Sequence, residues 1–264
     1  MTPHLKAWAY PWPSRLFIQV WRRHLLVWRK TAGASLAGNF IEPILYLVGL
    51  GYGLGRFVGD LGGMPYLLFI ASGILAANAM NTSTFEAFYG GFTRMTRQNT
   101  FQAMLATPLG VAEVVAGEVV WAATKSVMAG GAILAVGTLL GAFPATTAPL
   151  ALPVIFLTGL VFGSIGMVVT ALAPNYDYFL YHTSLVGTPM ILFCGVFYPV
   201  DSLPEWLQTL SLALPLTHVV ALIRPLSTGA GELTGLGWHL GILLLFLATA
   251  FHRAVRLIER RILV

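Results

Sequence analysis

Apolar residues fill six long segments of the chain, near residues 35–56, 65–86, 110–141, 148–173, 177–199 and 234–256. A helix needs about 20 apolar residues to cross the hydrocarbon core of a bilayer, and each segment approaches or exceeds that length. Three of the links between them are short, and the links at 87–109 and 200–233 are longer. The pattern therefore predicts an all-α integral membrane protein with six transmembrane helices.

A seventh, amphipathic element precedes the first span, at residues 14–30. At helical spacing one face carries Phe17, Trp21 and Trp28, and most of the other carries basic residues that include Arg22 and Arg23. Such a helix is expected to lie in the headgroup plane of the membrane. The alternative is an ordinary basic flank of the first span. We divide the chain into a cytoplasmic N-terminal part, 1–32, and a transmembrane domain, 33–261.

The link between the second and third spans is unusually polar. Residues 98–106 make about two helical turns, with Phe101, Met104 and Leu105 on one face. Arg94, Arg97 and Gln98 come before or at the start of these turns. This composition predicts a short cytoplasmic helix that contacts another protein. A solvated loop is the alternative.

The link between the fifth and sixth spans predicts two further short helices. Asp201 or Ser202 can cap a helix that begins near Pro204, and a second helix begins after Pro215. Both are too short to span, so we expect an external re-entrant hairpin packed against protein. An interfacial loop is the alternative. Trp206 suits the outer interface, and Arg224 is expected to cap the hairpin or to pair with Asp201 or Glu205.

Composition supports the membrane class and orients it. Only 9% of the residues are charged, against about 25% in soluble domains. Twelve Lys and Arg residues are expected on the side of the membrane that holds the N-terminus. Two, Arg56 and Arg224, are expected on the other side. Both termini are therefore expected in the cytoplasm. The positive charges form no groove-sized patch, which argues against a nucleic-acid partner despite the net charge of +5.

Cysteine and histidine spacing gives no indication of a metal site. Cys194 is the single cysteine, so neither an intrachain disulfide nor a cysteine cluster can form. His182 and His218 have no partners at ligand spacing, and no metal is expected.

The order of these elements resembles type-2 ABC exporter permeases. The resemblance covers about residues 20–261 and is carried by FYPVDSLPEWLQTLSLALPLTHVVALIR at 197–224, GEVVWAATK at 117–125 and TALAP at 170–174. These motifs look most like the NodJ-like branch, which exports lipo-oligosaccharides. The resemblance implies a bacterial cytoplasmic-membrane permease that moves an amphiphilic substrate outward. It further implies two permease copies and two NodI-like ATPase subunits that bind ATP and Mg.

The resemblance implies a separate ATPase, because the sequence of this chain has no phosphate-binding loop of its own. The nearest approach to a phosphate-binding loop, around Lys125, has Thr124 and Val119 where glycines are needed. In the resembled family, the ATPase receives the cytoplasmic helix. Phe101, Met104 and Leu105 are then expected to insert, with Arg94, Arg97 and Gln98 at the rim.

Ionisable residues inside spans are costly and are functional candidates by default. Glu42, Glu118 and Lys125 are the clearest, and Glu118 and Lys125 lie on nearly the same helical face. Interfacial depth and snorkelling are the alternative. Tyr46, Tyr52, Asn78 and Asn81 are candidates for lining a substrate cavity.

Three rival functions stay open at this point. The same architecture can export a drug, haem or a polymer. A proton-driven transporter can use Glu42, Glu113, Glu118 and Lys125 as a relay. An intramembrane enzyme is the third, although no nucleophile–base spacing supports it.

Overall fold

The computed structural model describes residues 13–33, 41, 45, 47–61, 63–230 and 235–263. Its α-helices, in chain order, are α1 Phe17–Trp28, α2 Gly55–Val58, α3 Tyr66–Phe85, α4 Thr100–Leu105, α5 Val111–Leu139, α6 Leu152–Leu172, α7 Asp177–His182, α8 Thr188–Phe193, α9 Glu205–Leu212, α10 Pro215–Thr228 and α11 Leu236–Leu263. Strands β1 Asp60–Leu61 and β2 Met64–Pro65 pair antiparallel before α3. π-Helical segments lie at Leu47–Leu54, Glu86–Gly91, Thr93–Arg97 and Thr183–Gly187, and 3₁₀ turns at Ala148–Ala151 and Val200–Ser202.

Four helices of the described residues are long and apolar enough to cross a membrane: Tyr66–Arg97, Val111–Leu139, Ala148–Leu172 and Leu236–Ile262. They coincide with the second, third, fourth and sixth predicted segments. The second is longer than predicted, because α3 continues through two π-helical segments to Arg97. The chain is thus a membrane protein whose described residues are helical in all their regular structure except one pair of two-residue strands.

The other two predicted spans differ from a regular helix or lie outside the description. Most of 35–56 lies outside the described residues. Segment 177–199 is helical only from Asp177 to Phe193 and widens into the π-helix Thr183–Gly187. The chain turns after Phe193, at Gly195, whose φ of 78° is a backbone conformation that favours glycine.

Helix α6 packs closely on α5 because glycines face it. Gly159 lies against the backbone of Ala123, and Gly163 lies against Ala122 and Val119. These two glycines form the GxxxG spacing, which permits close approach of two helices. Arg261 of α11 holds the C-terminal end of α6. Its Nη1 donates to the carbonyl oxygens of Thr170, Ala171 and Ala173 at 2.7–2.9 Å.

Among the described residues, two large apolar cores are stacked along the helix axes, beside a small cluster of Tyr66, Ile70 and Ile74. The first core contains Leu75, Ile133, Ile155, Leu216 and Ile223, from the start of α3, the end of α5, the start of α6 and helix α10. The second core contains Val20, Phe88, Phe101, Met167 and Ile258, from the opposite halves of the long helices. Helices α1 and α4 and the end of α11 therefore lie at one end of the bundle, and the hairpin α9–α10 lies at the other.

The hairpin has the two helices that the proline spacing predicts, bent by 87° at their junction. Arg224 does not pair with Asp201 or Glu205, and that part of the prediction is wrong. Its Nε donates to Ser72 Oγ at 3.1 Å and its Nη2 to the Gly195 carbonyl at 2.6 Å. The guanidinium also lies 3.8 Å over the ring of Phe69. Arg224 therefore ties the hairpin to α3 rather than closing the hairpin on itself.

We predict that Gly159→Leu prevents correct packing of α5 on α6. An added side chain meets the Ala123 backbone, which cannot move aside as a flexible side chain can. The expected cost is about 1–3 kcal/mol or more, read as a lower melting temperature of the purified protein. Gly131→Leu is the matched control on α5, because nothing lies within 4 Å of a Cβ there. Equal melting of the two variants would contradict the packing.

We also predict that the hairpin and α4 are reached from opposite sides of the membrane. Cys194 is buried and therefore shielded from a soluble reagent, so labelling reports on an introduced, exposed cysteine. Ser202→Cys and Thr107→Cys both replace exposed side chains. With an impermeant maleimide, intact cells should label only the first variant and permeabilised cells both. Labelling of both variants in intact cells would overturn the two-ended arrangement.

Candidate functional site

The second core encloses a group of charged side chains that we call the ionic cluster: His24, Glu86, Arg94, Glu118 and Lys125. Glu86 and Arg94 belong to the two π-helical segments that extend α3, and Glu118 and Lys125 belong to α5. A π-helical turn accommodates an extra residue and re-aims the side chains that follow it. The wide turns thus accompany the orientation of both Glu86 and Arg94 towards α5.

Arg94 lies at the centre of the ionic cluster. Its Nε donates to both carboxylate oxygens of Glu118 at 3.0 Å, and its Nη2 donates to Glu118 Oε2 and, at 2.8 Å, to Glu86 Oε1. The other oxygen of Glu86 accepts from Lys125 Nζ at 2.8 Å. A planar guanidinium suits this use, because it presents several donors in a fixed fork.

His24 joins helix α1 to the ionic cluster. Its Nε2 lies 3.0 Å from Glu118 Oε1, and its ring stacks on Trp121 of α5 with centroids 5.9 Å apart. Two carboxylates face one guanidinium and one ammonium, so these four charges balance. Four charges in an apolar bundle need such mutual pairing, because an unpaired buried ion costs several kcal/mol.

The aromatic face of α1 packs on α5 instead of facing lipid. Trp21 Nε1 donates to Thr124 Oγ1 at 2.9 Å, and Trp28 meets the edge of Trp121. Phe17 is half-buried against the second core. Arg22 is exposed and Arg23 half-buried on the outer side. The sequence separated the two faces of this helix and predicted that it lies in the headgroup plane, but it did not indicate that the aromatic face packs on α5.

Helix α4 also turns its apolar face inward. Phe101 is 0% exposed and Met104 is buried, both inside the second core, and Leu105 is half-buried against it. These side chains therefore lie inside this chain and not on its surface. Gln98, Gln102, Ala103 and Ala106 make the exposed face, together with Arg97 before the helix. Asn99 begins the helix in the left-handed conformation, with φ of 50°.

The intramembrane candidates have different outcomes. Lys125 and Glu118 do not pair with each other: Lys125 binds Glu86, and Glu118 binds Arg94 and His24. Glu42 and Tyr46 lie outside the described residues. Tyr52 belongs to the π-helix Leu47–Leu54, and its side chain lies outside the description.

The two asparagines of α3 are half-buried. Asn78 Oδ1 accepts from Thr82 Oγ1 at 3.4 Å. Asn81 lines a lateral cleft, which we define as the space between α3, α6 and the helical segment 177–193. Its lining includes Thr84, Phe85, His182 and Met190.

At the other end of the bundle, His218 has a partner that the sequence did not indicate. Its Nδ1 lies 2.7 Å from Nδ1 of His239 in α11, and its Nε2 lies 2.9 Å from the Leu212 carbonyl. Trp206 is 68% exposed, and Asp201 and Pro204 are exposed too. Among the residues described, no three potential metal ligands converge.

Sequence reasoning did not assign His24 and Glu86 to a site. Their signal was present: Glu86 ends an apolar segment, and His24 lies on the aromatic face of an amphipathic helix. Arg94 and Glu118 each need a partner in an apolar setting, and Glu86 and His24 are residues that can provide one. The sequence could not show that all of them meet.

We predict that Glu118→Gln strongly destabilises the protein. Removing one partner from a buried ion pair leaves the other uncompensated, at a cost of about 3–5 kcal/mol. The measurement is thermal melting of the purified protein, with the exposed Glu205→Gln as control. Replacing Arg94 and Glu118 together by Leu leaves Glu86 paired with Lys125. The drop in melting temperature of the double variant should therefore be smaller than the sum of the drops in the two single variants. Wild-type melting of Glu118→Gln would contradict the burial of this charge.

Comparisons with known proteins assign the chain to a family. Residues 15–226 match the family described as ABC-2 type transporter. Nodulation protein J of Rhizobium leguminosarum bv. trifolii is 46% identical, over 97% of this chain and 97% of that protein. Nodulation protein J of Bradyrhizobium diazoefficiens is 45% identical, over 97% and 95% of the two chains. The inner membrane transport permease YadH of Escherichia coli is 23% identical, over 90% and 91%. The chain therefore belongs to the ABC-2 type transporter family, as a NodJ-like multi-pass permease.

Proposed function

We propose that the chain is the membrane subunit of an ATP-driven exporter that moves an amphiphilic molecule out across the bacterial cytoplasmic membrane. A lipo-oligosaccharide or lipid-linked glycan is the proposed substrate. The observation that carries the proposal is the identity of 46% with a nodulation protein J along nearly the whole of both chains. The motifs that resemble lipo-oligosaccharide exporters lie within the same alignment.

The proposed working unit contains two copies of the permease and two NodI-like ATPase subunits. ATP and Mg bind to the ATPase, since the sequence of this chain offers no phosphate-binding loop. The ATPase lies on the side of α1, α4 and the C-terminus, which is the cytoplasmic side by the distribution of positive charges.

The docking surface that we propose is the exposed face of α4. Gln98, Gln102 and Ala103 with Ala106 present a nearly flat, uncharged surface, and Arg97 adds one positive charge at its edge. This assignment replaces the expected insertion of Phe101 and Met104, which are buried in the second core. These two side chains instead fix α4 to the bundle, so that a force on its outer face reaches the second core.

The ionic cluster gives this force a path. Arg94 lies shortly before α4 on the same segment and holds Glu118 of α5, and Glu118 in turn holds His24 of α1. A movement of α4 therefore acts on α3, α5 and α1 together through charged contacts. Work is done only when nucleotide and substrate bind two states of the permease with different affinity.

The ionic cluster also bears on the proton-driven alternative. Glu118 is held by Arg94 and His24, and Glu86 by Arg94 and Lys125. Each carboxylate is already paired with a cation of the ionic cluster, so neither is free to exchange protons along a relay. This geometry supports an ATP-driven mechanism over the relay.

We predict that Ala103→Asp abolishes assembly with the ATPase while leaving the permease folded. Ala103 is exposed on α4, and a carboxylate there must be desolvated when the surface docks. Co-purification with the ATPase should fall at least about tenfold, which corresponds to about 1.4 kcal/mol. Ser202→Asp, exposed at the hairpin, is the matched control.

A second variant separates docking from folding. Phe101→Asp puts a charge into the second core and should lower the yield of folded permease even without the ATPase. Wild-type recovery of the ATPase with Ala103→Asp would remove this face of α4 from the docking surface.

A further inference from the structure

Three aromatic rings form a partly exposed row beside the lateral cleft. We call this row the aromatic ladder: Phe85, Tyr89 and Tyr176. The ring centroids of Phe85 and Tyr89 are 6.1 Å apart, and those of Tyr89 and Tyr176 are 6.2 Å apart with planes only 6° from parallel. Phe85 is 40% exposed and Tyr89 is 47% exposed. The rings come from two different elements, α3 with its extension and the turn before α7.

The ladder is held in place from behind. Phe179, fully buried in the second core, meets the rings of Tyr89 and Tyr176 edge to face. The Tyr176 hydroxyl lies 2.7 Å from Thr93 Oγ1, which itself donates to the Tyr89 carbonyl. With its hydroxyl proton used there, Thr93 accepts from Tyr176. The two tyrosine rings therefore have a fixed separation and orientation before any ligand arrives.

The ladder continues into the lateral cleft through Phe85, which belongs to both. The cleft is lined mainly by apolar side chains such as Phe162, Ile165 and Met190, with a few polar groups among them. One of these is His182, whose Nδ1 is buried and has no hydrogen-bond partner among the described residues. An apolar cleft with a few convergent polar groups is the usual form of a small-molecule site.

The two parts differ in what they can bind. A pyranose ring has an apolar face of C–H groups that packs on an aromatic ring, with hydroxyls at its edge for polar partners. The flat, partly exposed faces of the ladder provide the apolar contact, and the tyrosine hydroxyls provide polar partners. The cleft suits an alkyl chain. A ligand that fills both has a sugar headgroup and a hydrocarbon tail.

We propose that the aromatic ladder and the lateral cleft together form the entry site for a glycosylated amphiphile. The sugar rings stack on Tyr89 and Tyr176, and the hydrocarbon chain extends past Phe85 into the cleft. This inference rests on the proposed function, which supplies the direction of movement. It deepens that function by naming the headgroup contact and placing it at the end of the bundle that carries α4.

The competing explanation is that these tyrosines are ordinary anchors at the membrane interface, where such rings are common. Tyr181 supplies the comparison. It is 64% exposed and lies on α7 close to the ladder in sequence, but it makes none of the ring contacts of the ladder. An interface belt treats Tyr89 and Tyr181 alike, whereas a sugar site depends on Tyr89.

The test uses the full permease in lipid nanodiscs, with octyl maltoside as probe and octylphosphocholine as the chain-matched control, both below their micelle concentrations. Saturation-transfer NMR reports which ligand protons face the protein, and a titration gives the affinity. Wild type should transfer saturation to the pyranose ring protons and the alkyl chain. Tyr89→Ala should weaken maltoside binding about three- to tenfold, whereas Tyr89→Phe retains the ring and should retain most of it.

Tyr181→Ala should bind maltoside like wild type. Equal losses in Tyr89→Ala and Tyr181→Ala, or equal affinity for octylphosphocholine, would overturn the sugar site. In those cases ATP-dependent export and co-purification of the ATPase can still stand, and the proposed function with them. If the wild-type permease does not assemble with an ATPase, the proposed function is wrong. Maltoside binding to the permease alone can still be measured in that case.

Discussion

Arg94 cannot lose its proton under ordinary conditions, and it is placed inside an apolar bundle, so the structure around it has to neutralise a permanent charge. Glu118 and Glu86 do this from two helical segments. Lys125 donates to Glu86, and His24 Nε2 lies 3.0 Å from Glu118. The pairing therefore fixes the rotation of α5, the π-helical extension of α3 and the position of α1. It is the constraint on which the end of the bundle that carries α4 depends, because removing any one of the four charges leaves the other three unbalanced.

Helix α6 and the hairpin end of the bundle are stabilised by different physical means. Around α6, glycines allow backbone to approach side chain and backbone closely, and Arg261 satisfies the carbonyls where that helix ends. At the hairpin end, Arg224 makes hydrogen bonds to Ser72 and to Gly195 and lies over Phe69. Close packing suits the middle of a membrane protein, where lipid offers little hydrophobic drive for association. Charged hydrogen bonds are found where helices end and carbonyls would otherwise be unsatisfied.

Two proposed roles meet on one short segment. Thr93 holds Tyr176 of the aromatic ladder, and the next residue, Arg94, is the centre of the ionic cluster. The same segment runs directly into α4, whose outer face is the proposed docking surface. The substrate contact, the charged network and the ATPase contact are therefore covalently close, and a displacement of α4 has a direct mechanical route to the other two. The width of a π-helical turn suits a segment that must orient side chains in several directions.

The amino-acid sequence determined the properties that depend on local pattern. Hydrophobic length located the starts of the four long helices to within a few residues, although the second continues to Arg97 and α11 continues past the predicted residue 256 to Leu263. Proline spacing located α9 and α10. Motif resemblance identified the family. Periodicity also separated the two faces of α1 and of α4, since side-chain positions around a helix follow from its geometry alone.

Only the tertiary structure decided which way those faces turn. The sequence predicted Trp21 at the membrane interface and Phe101 in an ATPase, because an apolar surface is non-directional in its choice of partner. In the structure Trp21 is half-buried against α5 and Phe101 is buried in the second core. Pairing of charges was also beyond the sequence, because Glu118, with Lys125 nearby on its own helix, binds Arg94 and His24 from distant segments. Contacts between residues far apart in the chain depend on how helices pack, and no local pattern encodes that.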